Sequence, residues 1–186
     1  MLKAYRDEAG EFVRGPGREY GGPAQGVAVE LRERTEEHAR EYFRRTRDPE
    51  IRAMLPMTAE TEEQAAEQFR RSVCPGANSC GQTIYVHGRY VGDVWIYGIH
   101  EEDAPDAMLS CCVFDKAVWG RGVATAAVRQ FLPDMAARYD LRTVGAFVYE
   151  KNAGSMRVLQ KTGFAVESRF TEDGEASCYC IKRLEK

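Results

Sequence analysis

Gly120 and Gly122 stand two residues apart at the junction between a strand pattern and a helix pattern, and this junction constrains the fold more than any other feature. Before it, Ala107–Phe114 reads as an apolar strand. After it, Ala124, Ala127, Val128, Phe131 and Met135 recur on one side of a helix running from Val123 to about Arg138. Two glycines there let successive backbone N–H groups turn the same way. At a helix N-terminus those groups, with the positive end of the dipole, bind phosphate. The pair lacks the third glycine of a dinucleotide fingerprint and the Gly-Lys-Ser/Thr of a nucleoside-triphosphate loop. Taken alone, it is equally a tight turn that needs glycine. Pro133 lies inside the helix, removes the bond to the carbonyl of Arg129, and predicts a kink.

The rest of the chain alternates similar elements. Val27–Arg32 alternates apolar and polar residues and is the first secure strand. Thr35 caps a helix over Glu36–Arg47, which Asp48-Pro49 stops and restarts. Thr61-Glu62-Glu63-Gln64 fits a capping box, with Ala65, Phe69 and Val73 every four residues behind it. That helix ends near Cys74-Pro75-Gly76. Thr83–His87 and Tyr90–Tyr97 form a hairpin around Gly88. Thr143–Tyr149 is a further strand, and Asn152 caps a short helix stopped by Thr162-Gly163. Strands at Phe164–Phe170 and Ala176–Leu184 follow. Residues 1–26 are rich in glycine and proline and read as an irregular leader with a short strand at Glu11–Arg14, so the folded domain is 27–186. With no repeats and no linker, the pattern is that of a mixed α/β single domain.

Composition narrows the function. The chain has 186 residues, 44% hydrophobic and 30% charged, the profile of one ordinary globular domain. A net charge of −3 lacks the footprint of a dedicated nucleic-acid binder. No stretch is long and apolar enough for a membrane helix, and Met1–Glu8 carries no apolar core of signal-peptide type. The expected location is cytoplasmic, with no membrane partner. Six cysteines are present, but Cys74/Cys80, Cys111/Cys112 and Cys178/Cys180 give no paired C-x-x-C spacing, and only three histidines are available. Unpaired buried thiols and no metal are expected.

A second block, Asn152-Ala153-Gly154-Ser155 through Gly163-Phe164, lies one strand beyond the glycine pair. With Trp119-Gly120-Arg121-Gly122-Val123-Ala124 it resembles the GNAT superfamily of acyl-CoA-dependent N-acyltransferases, whose phosphate signature is Gln/Arg-x-x-Gly-x-Gly/Ala. Tryptophan at the first position, Asn-x-x-Ser and the closing Gly-Phe look most like the RimJ/RimL branch. The resemblance covers roughly Val27 to Leu184. It implies a central mixed, mostly antiparallel twisted sheet flanked by helices, with the fourth and fifth strands, Ala107–Phe114 and Thr143–Tyr149, splayed apart. It implies acetyl-CoA as co-substrate, an amine acceptor (a protein N-terminus or a small molecule), and a monomer or homodimer.

The site residues implied are specific. Coenzyme A's pyrophosphate would sit on the amides of Arg121, Gly122, Val123 and Ala124, beside Trp119 and Gly120. The pantetheine would meet Val113 and Phe114 on the splayed strand, and a backbone N–H there would polarise the thioester carbonyl. Asn152 matches the family asparagine near the pantetheine and is also a good helix N-cap. Many members carry a tyrosine where this chain has Leu159, and leucine cannot protonate a thiolate. Ser155, one turn earlier on the same face, is the substitute acid that the RimL-like pattern implies; its other reading is a polar residue of the first turn. The branch's frequent glutamate is absent at Ala126. Asp115 and Glu150, at the ends of the splayed strands, are the candidate bases, with Asp93 on the preceding strand; each is also an ordinary exposed charge. Tyr97 and Tyr149 are core or wall residues, and the histidines form no triad. Cys111 and Cys112 lack an obvious histidine partner, so direct transfer is expected, with a ping-pong enzyme using Cys112 as the other reading. The loop with Glu101, Glu102, Asp103 and Asp106 suits a cationic acceptor or is a solvated charge run. Rival readings are a non-catalytic acyl-CoA-binding module and a nucleotide-binding protein.

Overall fold

The computed structural model describes residues 27–55, 59–101, 104–172 and 174–184, together with the backbone of Tyr5–Arg6 and Phe12–Val13. These last two pairs form a small antiparallel ladder, which places a strand inside the expected Glu11–Arg14 stretch. The rest of the leader lies outside the described residues.

The main sheet has seven strands: β1 Glu30–Glu33, β2 Cys80–Val86, β3 Arg89–Tyr97, β4 Ala107–Val113, β5 Thr143–Tyr149, β6 Ala165–Glu172 and β7 Glu175–Arg183. Their spatial order is β1-β2-β3-β4-β5-β7-β6. Every neighbouring pair is antiparallel except β4 with β5, which is parallel. That pair is in register only at Ala107–Val144 and Met108–Gly145, after which the strands part. The expected splay is present. At the seam a Cβ on Gly145 would lie 2.7 Å from the sulfur of Met108 and 2.9 Å from the Tyr179 side chain, so those two side chains would have to shift.

Among the described residues five α-helices accompany the sheet: α1 Glu36–Arg45, α2 Pro49–Arg52, α3 Glu62–Ser72, α4 Val123–Tyr139 and α5 Ala153–Lys161. Their starts follow the expected chemistry. Thr35 and Thr61 close capping boxes with His38 and Gln64, Asp48 caps α2 ahead of Pro49, and Asn152 caps α5. Helix α4 continues as helix through Pro133 for 17 residues. It lays Val128, Phe131, Leu132 and Met135 against Ile84, Val94, Ile96, Leu109 and Val144 of the sheet, and Leu159 of α5 joins the same core. Burying a side chain such as Phe131 contributes about 1.5–3 kcal/mol. Cys178 and Cys180 pack into this core as small apolar groups.

The β2–β3 turn places His87 and Gly88 at φ 50° and 73°, the two positive angles a tight hairpin requires. Ile84 then faces Gly92 while Tyr85 faces Tyr90, so Val91 is an extra residue. This bulge presses Gly92 onto β4, where a Cβ would overlap the carbonyl oxygen of Cys112.

Several expectations need correction. Helix α1 ends at Arg45 rather than Arg47, and β4 ends at Val113 rather than Phe114. In α3 the buried residue is Ala66, and Val73 lies past the helix end with 62% of its surface exposed. Steps of four drift 40° per repeat on a 3.6-residue helix, so Val73 has left the face that Ala65 starts. Cys74 is exposed rather than buried. Asp106 is no solvated loop charge: it accepts from the N–H groups of Arg142 (2.6 Å) and Thr143 (2.7 Å), bonds that hold its carboxyl below the usual range although burial opposes them. Glu102 and Asp103 lie outside the described residues. Among the described residues no helix is long and apolar enough to cross a membrane.

Candidate active site

A cavity of about 500 Å³ opens where β4 and β5 part. The N-termini of α4 and α5 form two of its walls, and Ile51, Met54 and Leu55 around α2 form a third.

The α4 wall is built by the glycine pair. Gly120 and Gly122 have φ of 73° and 83°, angles that favour glycine, and a Cβ on either would project into open space. Gly122 is the N-cap and supplies no side chain, so α4 starts without a side-chain cap. The first intrahelical bond runs from Ala126 N–H to Gly122 O at 2.9 Å. The N–H groups of Val123, Ala124 and Thr125 therefore have no intrahelical partner. They face a cavity that Gly122, Val123, Ala124 and Thr125 line. Trp119 and Gly120 line it as well; Arg121 does not.

The β4 wall follows from ladder geometry. Phe114 N–H donates to Val91 O at 2.9 Å, so 114 and 91 form a hydrogen-bonded pair. Alternation makes Gly92–Val113 a non-bonded pair, which turns the N–H and C=O of Val113 away from β3 and toward the gap. The indole N–H of Trp119 reaches that carbonyl at 2.7 Å. Val113 thus keeps a free outward N–H, whereas the N–H of Phe114 is spent inside the sheet. Phe114 itself is buried with Tyr42, Ile51 and Cys112 and does not line the cavity. This removes Phe114 as a polarising donor.

At α5, the Asn152 side chain accepts from Ser155 N–H at 3.0 Å, the capping role anticipated for it, and both residues line the cavity. The Ser155 hydroxyl makes no hydrogen bond among the described residues. Leu159 is buried in the core and does not reach the cavity.

The expected carboxylates lie elsewhere. Asp115 caps the turn at Lys116–Val118 through Ala117 N–H (3.0 Å) and pairs with Arg89 at 2.5 Å. Glu150 pairs with Arg169, whose hydrogen bond holds it below the usual carboxylate range. Neither lines the cavity. Asp93 is buried behind the β3–β4 ladder, with Tyr90 Oη 2.7 Å from one oxygen and Arg34 Nε 2.9 Å from the other. Burial raises it to about 6 against the pull of Arg34 and Tyr90. Burial also raises both Cys111 and Cys112, the latter to about 12, so neither thiol on this wall is a thiolate near neutral pH. His38 is held by Thr35 and Tyr85, and His100 lies 2.8 Å from Tyr139 O, both away from the cavity. Tyr97 and Tyr149 do not line it either.

The structure adds residues that the motifs did not single out: Thr125 on α4, Cys111 on β4, Ile51, Met54 and Leu55 near α2, and Gly154, Arg157, Val158 and Lys161 on α5. Among the described residues no group of three or more His, Cys, Asp or Glu could hold a metal ion.

Residues 28–165 match the model of the acetyltransferase (GNAT) domain. The chain belongs to the GNAT family. It is accordingly an acyltransferase, and acetyl transfer to an amine is the family's general reaction. No curated protein matches. Solved structures similar to this GNAT chain include spermidine N-acetyltransferase from Vibrio cholerae in complex with CoA and spermine, with a TM-score of 0.73 and 13% identity over 83% of this chain and 95% of that one. RimJ from Mycobacterium smegmatis, in complex with CoA-disulfide, has a TM-score of 0.70 and 21% identity over 83% and 81%. The aminoglycoside acetyltransferase AAC(6')-Ib in complex with coenzyme A has a TM-score of 0.70 and 17% identity over 84% and 95%. At these identities the likeness is one of fold.

Proposed function

We propose that this chain transfers the acetyl group of acetyl-CoA directly to an amine, with coenzyme A lying in the cavity between β4 and β5. One observation carries the reading: the uncapped N-terminus of α4 and the outward N–H of Val113 open onto the same cavity. The first suits a pyrophosphate, since three free N–H groups and the helix dipole converge there. The second suits an acyl carbonyl, because a fixed donor is strongest where water is excluded. The coenzyme A bound in the solved relatives supports this reading, as do the amines they bind.

In the reaction the amine nitrogen attacks the thioester carbon, and the carbonyl oxygen takes up negative charge facing Val113 N–H. Collapse breaks the C–S bond. The sulfur leaves with the electron pair and receives a proton from the Ser155 hydroxyl, which solvent replenishes; the amine's surplus proton passes to water. Asp115 and Glu150 are left out of this sequence because each has an arginine partner outside the cavity. Holding donor and amine together supplies much of the rate advantage. The acceptor is a protein N-terminal amine or a small amine.

Release of coenzyme A thiol from acetyl-CoA, followed with N-terminal peptides, polyamines, aminoglycosides and amino acids, tests the proposal. Acceptor-dependent release is expected. Binding of acetyl-CoA without turnover on any amine would replace the enzyme reading with that of a binding module.

A further inference from the structure

We propose that the acceptor is an amine with a large apolar group, aromatic or branched aliphatic, next to its nitrogen, seated on a shelf formed by Phe147, Phe170 and Tyr179. The inference rests on the acetyl-transfer reading above and names the class of amine taken by that site.

Side chains alternate across the sheet, so its two faces can be read from the register. Val144, Ala146 and Val148 of β5, with Cys178 and Cys180 of β7, point into the core that α4 and α5 cover. Phe147 therefore points to the other face, opposite Tyr179 on β7, and Phe170 joins them from β6. The Phe147 ring meets Phe170 edge-on at 5.7 Å and Tyr179 at 5.2 Å between centroids. On this same face α1 covers β3 and β4, with Tyr42 against Trp95 and Phe114. Over β5 the face is open, and Phe147 keeps 58% of its surface exposed.

The cavity leads to that shelf. The N-termini of α4 and α5 wall it on one side of the sheet. Ile51 and Leu55, which pack with Tyr42 and Phe114, wall it on the other, so it passes through the gap. With the donor on the α4 and α5 side, the amine approaches from the open face. Phe147 stands two residues beyond Gly145, the last β5 residue in register with β4, where the strands begin to part. An acceptor whose nitrogen enters the gap lays its neighbouring group on this ring. Exposed apolar patches continuous with a site mark ligand-binding surfaces.

Charge argues against a polycation. Glu50 is the one carboxylate lining the cavity among the described residues, and Lys116 holds it at 2.8 Å. Glu175 pairs with Lys151 at 2.5 Å, and Glu150 pairs with Arg169. In the loop before β4, Glu101 accepts from Asn78, and Asp106 accepts from the N–H groups of Arg142 and Thr143. None of these carboxylates is left to hold a second ammonium, whereas the shelf and the α2 wall offer apolar surface.

Thiol release is measured with peptides that differ only in a first residue of Phe, Leu, Ala or Lys, with 2-phenylethylamine as a free amine and spermidine as a polycation. The Phe and Leu peptides, or phenylethylamine if the source is a small molecule, should exceed the Ala peptide and spermidine by about 10–100-fold in kcat/KM, the worth of burying such a group. Phe147→Ala should lower kcat/KM for the preferred acceptor about 10-fold with acetyl-CoA affinity by calorimetry unchanged. Phe147→Asp should raise the Lys peptide relative to the Phe peptide. Equal rates across the acceptors, or a preference for the Lys peptide or spermidine, overturns the apolar class and leaves acetyl transfer standing. A wild-type dimer that Phe147→Asp splits into monomers in light scattering, with acceptor preference unchanged, assigns the shelf to a second copy and overturns the proposal. Absence of turnover with every amine overturns both readings.

Discussion

The indole nitrogen of Trp119 donates to the carbonyl oxygen of Val113 across 2.7 Å, joining the glycine loop to the last residue of β4. This one bond fixes the distance between the proposed phosphate site and the proposed carbonyl site. It also occupies the outward acceptor of Val113, so that residue offers only its N–H to the proposed acyl carbonyl. Trp119→Phe keeps the ring and removes the bond. A net loss of about 1 kcal/mol is expected, about 5-fold in acetyl-CoA affinity by calorimetry. An unchanged affinity and kcat would show that the loop holds its place without the indole.

Gly122→Val should abolish coenzyme A binding. Its φ of 83° disfavours any L side chain, and the branched Cβ would fill cavity space beside the free N–H groups of α4. Circular dichroism must show a folded variant, and titration then reads the loss. Undiminished binding would remove the phosphate assignment from α4.

Ser155→Ala is expected to lower kcat by about 10-fold or less, with acetyl-CoA affinity nearly unchanged. General acid catalysis has a ceiling of about 10²–10⁴-fold, and a thiol of pKa near 8.5 leaves tolerably without help. Leu159→Tyr should not rescue this variant, although 159 is the position at which the family resemblance implies a tyrosine. Leu159 is packed into the core, so the larger ring should cost about 1–3 kcal/mol in chemical unfolding. Full kcat in Ser155→Ala would leave solvent as the proton donor.

Asp93 gives a pH signature. Burial raises its carboxyl from 3.8 to about 6, so between those values the folded chain holds more proton than the unfolded one. Stability from this group is then greatest below pH 4 and is lost as the pH rises through 6, by an amount on the order of 3 kcal/mol. Asp93→Asn should flatten that fall in urea unfolding measured from pH 4 to 7. A variant whose profile parallels the wild type would mean that Arg34 and Tyr90 already compensate the buried charge.

Local signals were legible in the sequence because their physics spans three or four residues. Thr35, Thr61 and Asn152 each cap the helix that follows, and His87-Gly88 makes the turn its position announces. The glycine pair at 120 and 122 sits where the junction of strand and helix put it. What escaped depends on partners distant in the chain. Phe114 is spent because the bulge at Val91 turns the ladder, and no pattern in 107–114 records that. Asp106 reads as one of a run of loop acids until β5 brings Arg142 and Thr143 to it. The carboxylates Asp115 and Glu150 have the expected places at strand ends, but their arginine partners come from β3 and β6. Arg157 and Lys161 are different: counting turns from the Asn152 cap would have put them beside Ser155's wall.

The parting of β4 from β5 has a consequence for how the molecule comes apart. Only two register pairs, at Ala107–Val144 and Met108–Gly145, join the ladders of a four-stranded half to those of a three-stranded half, with the Asp106 bonds and the packing of α4 as the other links. Each half has its own ladders, so the seam is the natural place for opening on the hydrogen-exchange timescale, ahead of global unfolding. A molecule bridging the gap bonds to both halves and acts as an eighth, removable strand. At 100 times its dissociation constant it would add about 2.7 kcal/mol to the folded state, and that gain would appear as slower exchange in β4 and β5 together. Cofactor occupancy would thus set how nearly the two halves behave as one body.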